Sequence, residues 1–373
     1  MAELNPFIYD HPVPSGELID REDETRKLLE LAEGGHNTRL QGPRRYGKTS
    51  ILKRLLEDAD KVGCRTVYVD FLAVTTTAEV ARRIHEAYEA SLKGTLAQMY
   101  SRIRRGWRTR IKAAPGGVGL EAEQGAGIGA MQQLADLLDL PTKILADTGQ
   151  RTIVVFDEFQ DFLRTSGELD GLLRSKMQTH HDAASYIFCA SESALLESHF
   201  ADRQKPLFDQ ARPLYLSALS DLDLGDYIAE AFRKTGRDSG SALDLLLDLV
   251  RGHPQRAMLV AHHLWEQTPA NRVADADTFD TALKAMDGEL RERFEYTWNQ
   301  LSRQPNSSRT LKAIAISPET LYNQRTLSRF ELSKSQAASG AKTLERDGEL
   351  WTVDGRPQII DPLLERWVRM REG

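Results

Sequence analysis

Eight consecutive residues, Gly42-Pro43-Arg44-Arg45-Tyr46-Gly47-Lys48-Thr49, followed by Ser50, fit the spacing G-x-x-x-x-G-K-[ST]. The chemistry of that spacing is phosphate binding. Glycines let successive backbone N–H groups wrap the phosphate oxygens, the lysine neutralises the β and γ phosphates, and the hydroxyl of Thr49 would ligand magnesium. A second group follows 109 residues after Lys48, where Thr152-Ile153-Val154-Val155-Phe156 runs into Asp157 and Glu158. Asp157 stands where a carboxylate would hold magnesium, directly or through water. Glu158, one residue further on, would polarise the water that attacks a γ-phosphate.

Both groups need particular elements to position them. A phosphate loop should leave a strand and enter a helix. The helix is plain, since residues 49–59 place apolar side chains at helical spacing. The strand is weaker, because residues 36–41 offer only Leu40 as a large apolar side chain, whereas a central parallel strand is usually apolar throughout. The run ending at Asp157 has the opposite character. Four consecutive apolar residues predict a strand buried on both faces, with its carboxylates at the sheet edge where open α/β folds bind ligands.

Further strands are expected at 66–71, 186–190 and 213–216, with helical stretches between them. The alternation predicts an α/β core built on a mostly parallel sheet with helices on both faces. Between the phosphate loop and Asp157 the chain carries surplus length. Residues 90–120 hold Lys93, Arg102, Arg104, Arg105, Arg108, Arg110 and Lys112 with no acidic residue, and Tyr100 and Trp107 are interleaved. That stretch, an insertion at about 93–130, could grip a nucleic-acid backbone through Arg104, Arg105 and Arg108 and stack a base on Trp107; it reads equally as a solvated helix face or a docking surface. The glycines of 115–123 suggest a hairpin.

From 221 to 286 the pattern is helical, with apolar periodicity at 243–250 and 257–265 interrupted by Gly252-His253-Pro254. His253 reads as a turn residue, and neither it nor the pairs His180-His181 and His262-His263 has the Cys or acidic spacing of a metal site. Helices are expected at 309–316, 326–331 and 333–347, the last capped by Ser333 or Ser335 and stopped by Gly348. Residues 349–353 then turn at Asp354-Gly355 into 358–360, a hairpin. Three helices and a two-stranded wing make a winged helix, whose third helix would present Lys334, Gln336, Ser339 and Lys342 to DNA. Winged helices also dock proteins, and that alternative stands beside the first.

The chain has 373 residues and a formal net charge of −6, which excludes a globally basic nucleic-acid coat. Residues 291–373 nevertheless carry fourteen Lys/Arg against eleven Asp/Glu. Cys64 and Cys189 do not form a disulfide framework. No stretch approaches a membrane span and residues 1–14 lack the apolar core of a signal peptide, so a cytoplasmic protein without membrane contact is expected.

Taken in order, Asn5-Pro6-Phe7, the run Ile19 to Glu24, the Gly-Pro-Arg-Arg-x-Gly-Lys-Thr-Ser loop, Val155 to Gln160, Gly252-His253-Pro254 and Ile360-Asp361-Pro362-Leu363-Leu364 resemble the prokaryotic ATPases related to the archaeal ATPase family. These are AAA+/STAND-type proteins similar in layout to the Orc1/Cdc6 initiators. The resemblance spans nearly the whole chain and implies an ATPase core over 1–217, a helical lid over 218–288 and a winged helix over 289–373. It implies that Arg21 and Glu22 help enclose the adenine, that Pro254 forms the lid turn, and that Ser191 is a first sensor near the γ-phosphate. It further implies Arg256 as a second sensor and Arg212 as an arginine able to reach a phosphate. Asp20 stands where the family commonly has glycine. The resemblance thus implies an ATP- and magnesium-dependent switch with slow hydrolysis, whose partner is duplex DNA or, alternatively, a protein or a second copy of the chain.

Overall fold

The computed structural model describes residues 4–92, 97, 120–353 and 355–372, apart from positions 12, 15 and 17. The chain divides into two compact units. One comprises residues 22–41 and 51–215; the other comprises 1–21, 42–50 and 216–373.

The first unit is organised by its apolar strands. Its elements are α1 (Glu22–Glu33), β1 (Thr38–Gln41), α2 (Lys48–Lys61, entered from the phosphate loop and belonging to this unit from Ile51 on), β2 (Arg65–Asp70), α3 (Thr77–Ser91), α4 (Leu120–Leu138) and α5 (Leu140–Thr148). These are followed by β3 (Thr152–Asp157), α6 (Phe159–Thr165), α7 (Leu169–Met177), β4 (Ala184–Cys189), α8 (Ser193–Ala201) and β5 (Arg212–Tyr215). The five strands are all parallel in the order β2-β3-β4-β1-β5. Every residue of β3 is buried. Val154 and Phe156 enter an apolar cluster with α3, α4, α6 and α7, while Ile153 and Val155, which alternate with them, are equally buried on the opposite face. A strand covered on both sides needs an unbroken apolar run, which is what the sequence supplies.

The weak strand proves to be central. β1 lies between β4 and β5 although Thr38, Arg39 and Gln41 are polar, and all four of its residues are buried. Arg39 gains a partial substitute for water by lying over the Phe200 ring, 5.8 Å from its centroid. Tertiary burial here overrides residue preference. The hairpin expected at 115–123 is corrected where it can be observed, because the chain is helical from Leu120 onward. Its Leu, Ala, Glu and Gln content favours that outcome. The basic residues Lys93, Arg102, Arg104, Arg105, Arg108, Arg110 and Lys112, with Tyr100 and Trp107, lie outside the described residues.

The second unit is mainly helical: α9 (Asp221–Lys234), α10 (Ala242–Val250), α11 (Pro254–Gln267), α12 (Ala276–Ser302), α13 (Pro305–Ile316), α14 (Gln324–Arg329) and α15 (Lys334–Arg346), then β6 (Leu350–Val353), β7 (Arg356–Ile359) and α16 (Pro362–Glu372). β6 and β7 form the expected antiparallel hairpin. α12 runs unbroken through 288 and 289, where the sequence reading separates the lid from the C-terminal helices. α15 is capped by Ser333, whose hydroxyl accepts from the Gln336 N–H while the Gln336 side chain accepts from the Ser333 N–H. It ends at Arg346, and the chain turns away through Gly348, whose φ of +77° suits a residue without Cβ.

α13 and α15 approach so closely at Gly340 that a Cβ there would lie 2.4 Å from Thr310 Oγ1 and 2.6 Å from the Asn306 carbonyl oxygen. Replacing Gly340 with alanine should therefore destabilise the C-terminal helices by about 1–3 kcal/mol through overpacking, although alanine is the better helix former. Urea denaturation followed by Trp fluorescence checks this; an unchanged or raised midpoint would refute the close packing.

Candidate nucleotide-binding and hydrolytic site

The phosphate loop, residues 42–50, belongs with the helical unit. Close approach and left-handed backbone shape it. A Cβ on Gly42 would press to 3.1 Å from the Leu216 Cβ, and Gly47 has φ +83°. Arg45 also adopts the left-handed region, at φ +66°. Lys48 is buried, and its ammonium donates to the carbonyl oxygens of Gly42 and Pro43, each at 2.8 Å. The lysine thus braces the loop it serves. Thr49 and Ser50 follow in the first turn of α2.

Around this loop stands a dense set of charges in the same unit. Arg45 is pushed down to about 10 by burial, reinforced by repulsion from Arg293 and Arg256. Arg256, only 1% exposed, donates from Nε to Asp361 Oδ1 at 2.9 Å and from Nη2 to Asp361 Oδ2. Its Nη1 is buried with no hydrogen-bond partner among the described residues. Burial alone would raise Asp361, but the adjoining Arg256 guanidinium outweighs it and holds the carboxyl below the usual range. Asp361 Oδ1 also accepts from the Leu363 and Leu364 N–H groups at the start of α16. Glu349, just before β6, is raised by burial and by Asp361. Arg44 lies against Gly348, and Tyr46 packs edge-on to His253 with ring centroids 5.1 Å apart. His253 is the N-cap of α11, accepting from the Arg256 N–H through Nδ1, so its turn role is as the sequence indicates. Pro254 occupies the first helical position, where its missing N–H costs nothing.

The carboxylates belong to the sheet unit. Asp157 ends β3 and is 4% exposed. Its Oδ2 accepts from the Tyr68 hydroxyl at 2.6 Å, and its Oδ1 from the Glu158 N–H at 2.9 Å. Burial, with the Asp157 carboxylate it faces, drives the Tyr68 phenol far up, so it is a fixed donor. Glu158 sits in left-handed backbone, φ +50°, between strand and α6. One of its oxygens accepts from Ser191 Oγ at 2.6 Å, the other from the Gln160 amide, and Gln160 Oε1 accepts in turn from the Ser191 N–H at 3.3 Å. Beneath this edge Phe71, Phe156, Phe159, Phe162 and Phe188 form an aromatic layer, with Phe159 centred 4.8 Å from both Phe162 and Phe188. Packing of this kind fixes where α6 starts.

The predicted residues therefore separate. Glu158 and Ser191 are brought into direct contact, and Arg45 and Arg256 share one charged cluster. Arg21 is buried and donates to the Ser217 carbonyl at 2.8 Å, while Glu22 opens α1. Asp20 has φ +46°, which explains why a glycine can stand at this position. Arg212 is placed differently: it starts β5 opposite Thr38, whereas Asp157 ends β3, so Arg212 lies exposed at the opposite edge of the sheet. At about 3.3 Å per residue the strand length intervenes. Lys334, Gln336, Ser339 and Lys342 are all exposed on α15; Gln336 also serves the cap. Arg104, Arg105, Trp107 and Arg108 lie outside the described residues. Sequence reasoning gave no role to Tyr68, Gln160, Arg293, Glu349 or Asp361. Gln160 and Asp361 fall inside motifs it quoted, and their polar character beside apolar runs was the available signal.

A model of the ATPase domain found predominantly in Archaea matches residues 18–259. A Walker-type ATPase of Pyrococcus abyssi superposes with a TM-score of 0.68 at 18% identity, over 97% of this chain and 99% of that one. The Aeropyrum pernix ORC2 protein, in its ADPNP–ADP complexes, gives 0.56 at 15% identity, over 99% and 98%. The search of curated proteins returns no match.

Burial pushes His253 down to about 4 from an ordinary 6.5, helped by Arg256 and Arg45. The fold holds the imidazole neutral, so between those values the unfolded chain binds the extra proton and stability falls as the pH falls. Wild-type protein should lose up to roughly 3 kcal/mol through this group. His253→Asn, which keeps a capping acceptor, should flatten the acid-side slope in thermal melts across that window; identical slopes would remove the assignment.

Proposed function

Because this chain belongs to the family of ATPase domains found predominantly in Archaea, we propose that it binds and slowly hydrolyses ATP as an AAA+-like switch, and that its nucleotide state sets how C-terminal elements engage DNA. The observation that carries the hydrolytic reading is the contact of Glu158 with Ser191, which joins the water-orienting carboxylate to the first sensor. Residues 42–50 supply N–H groups and Lys48 for the phosphates. Thr49 and the buried carboxylate of Asp157 offer the hard oxygen donors magnesium takes, and the bound metal would neutralise phosphate charge. Glu158 orients water, and Arg256 acts as second sensor through Nη1. Arg21 and Glu22 enclose the adenine and Pro254 forms the lid turn. A part for Arg212 in turnover falls to a second copy of the chain, given its place at the opposite sheet edge.

We read 1–217 as the core, 218–288 as the lid and 289–373 as a winged helix of α13 to α15 and the β6–β7 hairpin. The switch is supported by the position of Arg44 and Arg45, which feel Glu349, Gly348 and Asp361 of the C-terminal segment. A change at the phosphate loop therefore alters the electrostatics at the base of the hairpin and at the start of α16. The exposed residues Lys334, Gln336, Ser339 and Lys342 on α15 favour DNA as the partner; a protein docked on the same helices is the alternative.

Lys48→Ala should abolish ATP binding in calorimetry, and tight binding retained would overturn the phosphate-loop assignment. Glu158→Gln should bind ATP yet turn over about a hundredfold more slowly or worse; equal turnover would remove Glu158 from the mechanism. A fluorescent duplex titrated with the Glu158→Gln protein across a salt series should bind with an affinity that changes with ATP and falls steeply with salt. No binding in either nucleotide state would transfer the reading to a protein partner.

A further inference from the structure

We propose that Gln160 is a positioning residue for hydrolysis, setting the direction of the Glu158 carboxylate through a closed ring of hydrogen bonds with Ser191. This rests on the reading of Glu158 as the water-orienting group. Gln160 is the second residue of α6 and is 5% exposed. Its amide nitrogen donates to Glu158 Oε2, its Oε1 accepts from the Ser191 N–H, and the Ser191 hydroxyl donates to Glu158 Oε1. Three side chains and one backbone group thereby tie the end of β3 to the residue beyond β4. No bond of the ring involves Asp157, which is held instead by Tyr68 and by the Glu158 N–H. The two adjacent carboxylates are oriented by separate partners.

The chemistry of the ring selects an amide. The same side chain must donate to a carboxylate and accept from an N–H, and it must do so without charge beside Glu158; glutamine does all three, glutamate only the second. Each Glu158 oxygen accepts one hydrogen bond within the ring and has a further lone pair for water. The ring therefore directs the carboxylate without consuming it. Glu158 also needs the direction supplied from outside, because its own backbone is in the left-handed region and its side chain makes no helix-capping bond. Small errors in the placement of such a group cost rate far more than binding.

The test is Gln160→Glu, which keeps size and shape but replaces the donor with a second carboxylate. Near pH 8, kcat should fall roughly ten- to hundredfold with the KM for ATP and the Kd of a fluorescent ATP analogue unchanged. As the pH is lowered towards about 6 the gap to wild type should narrow, because repulsion from Glu158 raises the introduced carboxyl and its proton restores a donor. Gln160→Met, apolar and of similar length, should show the same loss without the pH-dependent recovery, and it carries the test alone if the first variant does not fold. A kcat within about twofold of wild type at every pH, a raised kcat, or a loss matched by equally weakened nucleotide binding would overturn the proposal. Glu158→Gln, run alongside, separates the two levels. If it turns over like wild type, the role of Glu158 itself fails; if it is slow while both Gln160 variants are normal, only the positioning role of Gln160 fails.

Discussion

The parallel pairing of β3 with β2 on one side and β4 on the other is the constraint on which the carboxylate site depends. In a parallel sheet every strand ends at the same edge, so Asp157 and the residues following β4 are delivered together without any local preference for meeting. Register does the rest. Asp70 lies opposite Asp157 and Val155 lies opposite Tyr68, which leaves the Tyr68 hydroxyl within reach of the Asp157 carboxylate. Slippage by one residue would turn Asp157 into the aromatic layer, where an unpaired carboxylate costs several kcal/mol.

The helical unit answers a different problem, which is how to keep several guanidinium groups in a buried place. Arg45, Arg256 and Arg293 repel one another, and Asp361 offsets all three, with Glu349 also acting on Arg293. Asp361 is doubly committed, to the Arg256 guanidinium and to the first N–H groups of α16. Removing one partner of a buried pair leaves a charge uncompensated at a cost of about 3–5 kcal/mol. The arrangement makes the phosphate loop, the start of α11 and the start of α16 electrostatically dependent on one another, a dependence an incoming phosphate would join.

Most elements were legible beforehand because their causes are local. The unbroken apolar run at 153–156 specified a doubly covered strand, and serine at 333 or 335 with glycine at 348 bracketed α15, the structure choosing Ser333 as the cap. β1 was the hard case, because Thr38, Arg39 and Gln41 read as a surface segment and are central only through the company of β4 and β5. The helix from Leu120 onward was obscured in the sequence by the glycines of 115–123, which signal turns. Gln160 was quoted within its motif yet carried no role, since nothing along the chain indicates that Ser191, 31 residues away, is its partner.

The sequence by itself determined the chemistry available: a phosphate loop, a strand ending in two carboxylates, a capped helix followed by a hairpin. Spacing along a chain encodes backbone conformation and residue type, and those suffice for such motifs. Tertiary structure alone decided which side chains hold the candidate site residues: Tyr68 on Asp157, Gln160 and Ser191 on Glu158, Asp361 on Arg256. It also placed Arg212 at the far edge of the sheet from Asp157. These pairings depend on strand order and register, which arise from burying both faces of the sheet at once and leave no local trace in the sequence.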